Sequence, residues 1–292
     1  MPIQPQYENK LMSSALLWMD NVLCRKGQAF INNSGYLYRI SGKQGYITYA
    51  TPFKPLVADV SVANSGADLL TGVYLNNVFV STGTSGLYAI NHELGQAYFT
   101  GAPLASTVTV SGRYSIKEFS LALTDEPEEK LLFETKYELR PKTVQTLTGL
   151  QSNEYTYPAI YVKNFGGDNE PWTFGGMDCT KTEVRAIVLA DSQFALDAVC
   201  SLFKDQVRST IALIPYSEMP FNSLGEYVNG VKFNYTGIAY DKVRQHNSAF
   251  VERVSVSTLS YGSYNQIKNL NPKIYPGIID IEFKSYRVPR TQ

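Results

Sequence analysis

The chain is predicted to be α+β: a β-rich N-terminal domain, sandwich-like or barrel-like, followed by a C-terminal α+β domain. In the latter, one helix packs on a mostly antiparallel sheet. Three observations predict this. Residues 35 to 140 are dominated by short β-branched or aromatic runs such as "YLYRI", "GYITYA", "GVYLNNVFVS" and "TVTVSGRYSI", punctuated by Gly, Asn and Pro. Apolar residues at helical spacing recur convincingly over only two stretches. The 21 Tyr and 14 Phe are an excess of residues that favour strands and also interfaces.

The elements follow in order. In 8–24, Leu11, Ala15, Trp18, Met19 and Val22 form one apolar stripe, and Gly27 stops the helix. Residues 1–50 are therefore expected to be a helix-and-hairpin extension, 51–145 the sandwich-like domain, and 146–292 the α+β domain. The polar stretch "TVQTLTGLQSNEYT" (143–156) marks the junction. Beyond it, "YPAIYVKN" and "TEVRAIVLA" are strands. Asp191 or Ser192 then caps a helix whose buried stripe is Phe194, Ala195, Ala198, Val199, Leu202 and Phe203. The runs 230–239, 249–261 and 276–286 have strand texture.

Composition narrows the function. Lys+Arg and Asp+Glu number 26 each, so global charge supplies no attraction to nucleic acid or an anionic membrane. The apolar run near the start, "LMSSALLWM", is too short and too interrupted to span a bilayer, so no membrane partner is expected. Three scattered cysteines with no C-x-x-C fit reduced thiols. Low charge combined with many tyrosines leans towards an assembly subunit.

The chain carries no complete catalytic or cofactor-binding motif. Gly42-Lys43 lacks the Ser/Thr and the spacing of a phosphate loop, and "NFGGDNEPWTFGG" has no G-x-G-x-x-G. His92-Glu93-Leu94-Gly95 opens like the zinc-binding H-E-x-x-H, but Gln96 stands where the second histidine is needed. Flanked by "LYAI" and "QAYFT", it reads as a hairpin turn, which points His92 and Glu93 into solvent or a neighbouring subunit. The acidic "TDEPEEK" lacks the calcium-loop alternation and reads as a solvated turn. A catalytic reading has only His92–Glu93 or Cys179–His246 to work with, so no enzyme, cofactor or metal is expected.

Binding residues are easier to nominate. The Gly-rich excursion 164–176 carries Trp172 and Phe174 as candidate subunit contacts. In "DKVRQHNSAF", Lys242, Arg244 and His246 alternate and would share one face of an extended segment. Lys242 and Arg244, with Arg253 on the next strand, form a candidate basic face.

Two stretches resemble virion structural proteins of tailed bacteriophages. "GLYAINHELGQAYFTGAPLASTVTVSGRYSIKEF" (86–119) is similar to hairpin-rich proteins of the neck region. "TYPAIYVKN" followed by "RAIVLADSQFALDAVCSLFKD" (185–205) looks like the small ring-forming α+β domain of tail terminators and head–tail connectors. Residues 1–50 have no counterpart in that likeness. It implies a non-enzymatic virion subunit, assembled in the host cytoplasm as a homo-oligomeric ring of about six or twelve copies. The ring would touch other head and tail proteins and let DNA pass, with Lys242, Arg244 or Arg253 lining the lumen or meeting an acidic neighbour. The alternative is a β-rich ligand-binding or carbohydrate-binding virion module for receptors, since Tyr-rich β-surfaces suit sugar stacking.

Overall fold

The computed structural model describes residues 7–41, 44–101, 104–105, 107–133, 156–172, 178–220, 233–258 and 274–287. The architecture is α+β, with fourteen strands in three sheets among the described residues. Helix α1 (Tyr7–Arg25) leads into β1 (Phe30–Tyr36), β2 (Tyr38–Ile40) and β3 (Ile47–Ala50). Then come β4 (Gly72–Leu75), β5 (Val78–Ser81), β6 (Leu87–Asn91), β7 (Gln96–Phe99) and β8 (Val110–Lys117). These strands form two four-stranded sheets, ordered β1-β8-β4-β5 and β2-β3-β7-β6. Alternation turns Val73, Val80, Leu87, Phe99, Val110 and Tyr114 into a shared core between them, which is the expected sandwich.

The third sheet is ordered β12-β13-β14-β11-β10-β9. Its strands are β9 (Ser120–Leu123), β10 (Ala159–Pro171), β11 (Asp178–Ala190), β12 (Thr210–Ala212), β13 (Ser248–Thr258) and β14 (Tyr275–Arg287). All pairs are antiparallel except β9 with β10. Helices α2 (Glu128–Phe133), α3 (Gln193–Lys204) and α4 (Tyr235–Arg244) complete the set.

The first fifty residues are not an extension. Helix α1 buries Leu11, Ala15, Trp18, Met19 and Val22, the expected stripe, in the core of the six-stranded sheet, while β1–β3 belong to the sandwich. Apolar residues cover more than one face of α1, so it needs neighbours on several sides. Buried Asp59 ties it in. Its carboxylate accepts from Asn21 Nδ2 of α1 (2.6 Å), from the Ser61 N–H and hydroxyl, and from the Tyr235 N–H at the start of α4 (3.1 Å).

Instead of one helix, three pack on the same face of this sheet: α1, α3 and α4 all contribute to one core. Ser192 caps α3, its hydroxyl accepting from the Ala195 N–H. The buried stripe is Leu196, Val199, Cys200 and Phe203, and Phe194 is 85% exposed. The run expected as a strand at 230–239 is instead helical from Tyr235. Asn234 caps it by accepting from the Gly237 N–H at 3.0 Å. "TDEPEEK" is not merely a solvated turn either, because α2 begins within it at Glu128.

An open charged face on the central sheet

Strands β10, β11 and β14 supply both faces of the six-stranded sheet, and paired residues share a face. Val184, Ala186 and Val188, with Ile279, Ile281 and Phe283, turn towards the helices and are completely or almost completely buried. The opposite face holds a smaller apolar patch near its inner end. There Tyr161, Ile187 and Leu189 pack against Leu131 and Leu132 of α2. Arg185 pins that helix in place. Its guanidinium donates to both Asp280 oxygens (2.6 and 3.1 Å) and to Glu128 Oε1 (2.8 Å), and lies 3.9 Å from the Phe165 ring centroid. These partners hold Arg185 well above its ordinary pKa, the Asp280 hydrogen bond contributing most.

Past Arg185 the three strands run on. The Gly-rich excursion expected as a loop is the continuation of β10, paired with β11 as far as Pro171↔Asp178. A bulge at Asn164/Gly166 places Phe165 outside the ladder. Gly167 is required there: a Cβ would lie 2.3 Å from the Lys181 carbonyl oxygen. Among the described residues, no element covers this distal half, where Asp168, Glu183 and Arg253 are exposed and Phe250 is 41% exposed.

The register arranges the open half in cross-strand rows. One row is Arg253, Glu282, Glu183 and Gly166, and the next outward is Phe250, Lys284, Lys181 and Asp168. Flanking carboxylates steady the lysines, with Lys181 Nζ 3.0 Å from Glu170 and Lys284 Nζ 3.7 Å from Glu252. The Glu170 hydrogen bond raises the Lys181 pKa. At the tip, Trp172 meets Tyr286 edge to face at 4.7 Å, with Lys284 Nζ 5.7 Å from the Trp172 ring.

Of the residues nominated from sequence, Trp172 and Arg253 lie on this face, while Phe174 lies outside the described residues. The other basic candidates do not. Lys242 and Arg244 sit on α4 instead of an extended segment, so they point in different directions. Lys242 is buried against Glu218 Oε1 at 2.6 Å, and Arg244 lies over the Tyr240 ring. Neither forms a shared basic stripe.

The HELGQ turn does connect β6 to β7 as expected, but it folds inward onto residues 51–56. Thr51 N–H donates to the Gly95 carbonyl, and Leu56 N–H donates to that of His92. Gly95 has φ +63°, and a Cβ on it would be 2.3 Å from Thr51 Oγ1. Instead of facing solvent, His92 donates from Nε2 to the Leu70 carbonyl at 3.0 Å, and burial pushes its pKa down to about 4. Glu93 remains on the surface. Desolvation raises its carboxyl above the usual range, with Asp20 adding to this and Lys117 and Lys54 opposing it. Lys117 itself is paired with Asp20 of α1. A mostly apolar groove of about 170 Å³ lies beside this seam, floored by Ile31, Phe53 and Ile116.

Among the described residues, no group of three or more His, Cys, Asp or Glu side chains is placed to hold a metal, and no helix is long and apolar enough to cross a membrane. No protein-family profile and no curated protein matches the chain.

The residues that build the open face were legible in one signal that composition obscured. "DIEFKSY" (280–286) and "KTEVR" (181–185) alternate charged or aromatic with inward residues, which is the period of a sheet covered on one face only.

Proposed function

We propose that this chain is a non-enzymatic structural subunit that assembles with copies of itself. We place it, by its sequence resemblance, in a ring at the neck or tail-completion region of a tailed-phage virion, joining tail to head and passing DNA. One observation carries the assembly reading. The distal half of the six-stranded sheet is a broad exposed β-face, interleaving charge with Phe165, Phe250 and Trp172. Among the described residues only α2 packs over this side of the three strands, and a flat surface rimmed by aromatics suits a protein partner. Arg253 remains a candidate for the lumen or an acidic neighbour, while Lys242 is committed to Glu218. Mass photometry and negative-stain microscopy of the purified chain should show closed multi-subunit particles. A monodisperse monomer at micromolar concentration would overturn the reading.

A second reading has its own support. Tyr36, Ser111, Tyr74 and Phe79 form one register row on the outside of the sandwich, with Tyr36 60% and Phe79 49% exposed. Such a row suits a sugar chain laid across the strands. Glycan-array binding that is lost in Tyr36→Ala, by a protein that stays monomeric, would favour it.

A further inference from the structure

We infer that the open face of the central sheet stacks on the same face of a second copy of this chain, about a two-fold axis running across the strands. The inference rests on reading this face as an assembly surface and adds the partner and the symmetry. Its basis is the order of charges. Lys181 stands directly opposite Lys284, and Glu183 directly opposite Glu282. Like charges facing each other across a strand pair are unfavourable within one chain. Exchanging one Lys with the Glu two residues along would give two attractive pairs from the same residues. The sequence instead keeps a row of two lysines beside a row of two glutamates.

Self-association turns that banding into complementarity. A two-fold axis parallel to the rows and midway between them lays one sheet on the other while preserving position along each row. The lysine row of one copy then falls over the glutamate row of the other: Lys181 meets Glu183, Lys284 meets Glu282, and both pairs recur by symmetry. In the flanking positions Arg253 meets Phe250, and Asp168 meets Gly166, which has no side chain in the way. Stacked sheets lie about 10 Å apart, a gap that extended Lys and Glu side chains span by meeting at their tips. A two-fold contact is isologous, so one patch serves both copies. By itself this contact gives a dimer, and a ring requires a second, heterologous contact elsewhere on the subunit.

The test is charge reversal in halves, in the full chain. Lys181→Glu with Lys284→Glu makes both central positions of each row acidic, and Glu183→Lys with Glu282→Lys makes them basic. Each variant alone should lose the two-fold association by about 100-fold or more in sedimentation velocity at low salt, because like charges now meet. An equimolar mixture of the two, one carrying an affinity tag, should associate again. The fourfold exchange should restore self-association in a single chain. Circular dichroism should report unchanged folding, since all four side chains reach solvent. If both half-reversed variants associate as the unaltered chain does, or folded variants fail to recombine on mixing, the two-fold stack is wrong while assembly stands. If the unaltered chain is monomeric at high concentration, both readings fall.

Discussion

The two faces of the six-stranded sheet share the same three central strands, yet they follow different chemistry. On the helical face, Val184, Ala186, Val188, Ile279, Ile281 and Phe283 leave almost no surface in water, and Trp18 of α1 packs edge-on to Phe283 at 5.9 Å. On the opposite face the same strands carry Lys181, Glu183, Arg185, Asp280, Glu282 and Lys284, and only the inner end is covered, by α2. The difference shows where stability resides and where it is absent. Hydrophobic burial accrues on the helical face and at the inner end of the other, so the distal half of that other face is free to be specified by something outside the chain. Removing groups from each face should therefore separate folding from association.

The largest effect is expected on the covered face. Phe283→Ala leaves a cavity between Trp18 and the sheet and should cost about 3–5 kcal/mol of unfolding free energy, read from a urea or guanidinium midpoint. A loss below about 1 kcal/mol would mean that α1 does not dock on this sheet.

Lys242→Glu comes next. It sets a buried carboxylate against Glu218, and breaking such a pair should cost about 3 kcal/mol. Thermal melts should show the loss, and Glu218→Lys in the same chain should recover most of it. A Lys242→Glu protein that keeps its melting temperature but fails to assemble would return this residue to an interface.

The misplaced Lys242 shows how far the sequence could be read. "VKFNYTGIAYDKVR" is full of strand formers, and the helix from Tyr235 is set by two things that spacing does not report: the Asn234 cap, and Tyr235 packed into the core from Asp59. Conversely, "NFGGDNEP" is poor in strand formers, and its pairing is imposed by β11, which is itself held by β14. Where local preference and packing agree, as in α1 and the hairpins of the sandwich, the elements were legible. Where they conflict, packing won. The candidate site falls on the conflict: the extension of β10 has the composition of a loop, and the balanced total charge hides the charges of the face.

His92 gives a smaller effect, confined to acid. Its folded pKa of about 4 lies below the ordinary value of 6.5. Between those values the unfolded chain binds a proton that the folded chain does not. Stability is therefore complete above about pH 6.5 and declines as pH falls towards 4, by at most about 3 kcal/mol. His92→Gln retains a donor for the Leu70 carbonyl and does not titrate in this range. Urea midpoints measured from pH 8 to 4.5 should fall less steeply for the variant. Identical slopes would mean that His92 faces solvent, as its place in a hairpin turn suggests.

The smallest folding effect is expected on the open face, and its smallness is the sharpest statement of the contrast. Phe250 and Arg253 belong to β13 and flank the lysine and glutamate rows, and both are exposed. Replacing both with Ser removes a large ring and a charge from solvent-facing positions. Unfolding free energy should therefore change by no more than about 0.5 kcal/mol. Against Phe283→Ala, one strand pair away, that is nearly a tenfold difference from a comparable loss of aromatic surface. Self-association should move the other way, weakening clearly in Phe250→Ser/Arg253→Ser and hardly at all in any Phe283 variant that remains folded. A stability loss above about 2 kcal/mol in the Ser variant would show that this face is covered within the chain, and the division between a folding face and an assembly face would fail with it.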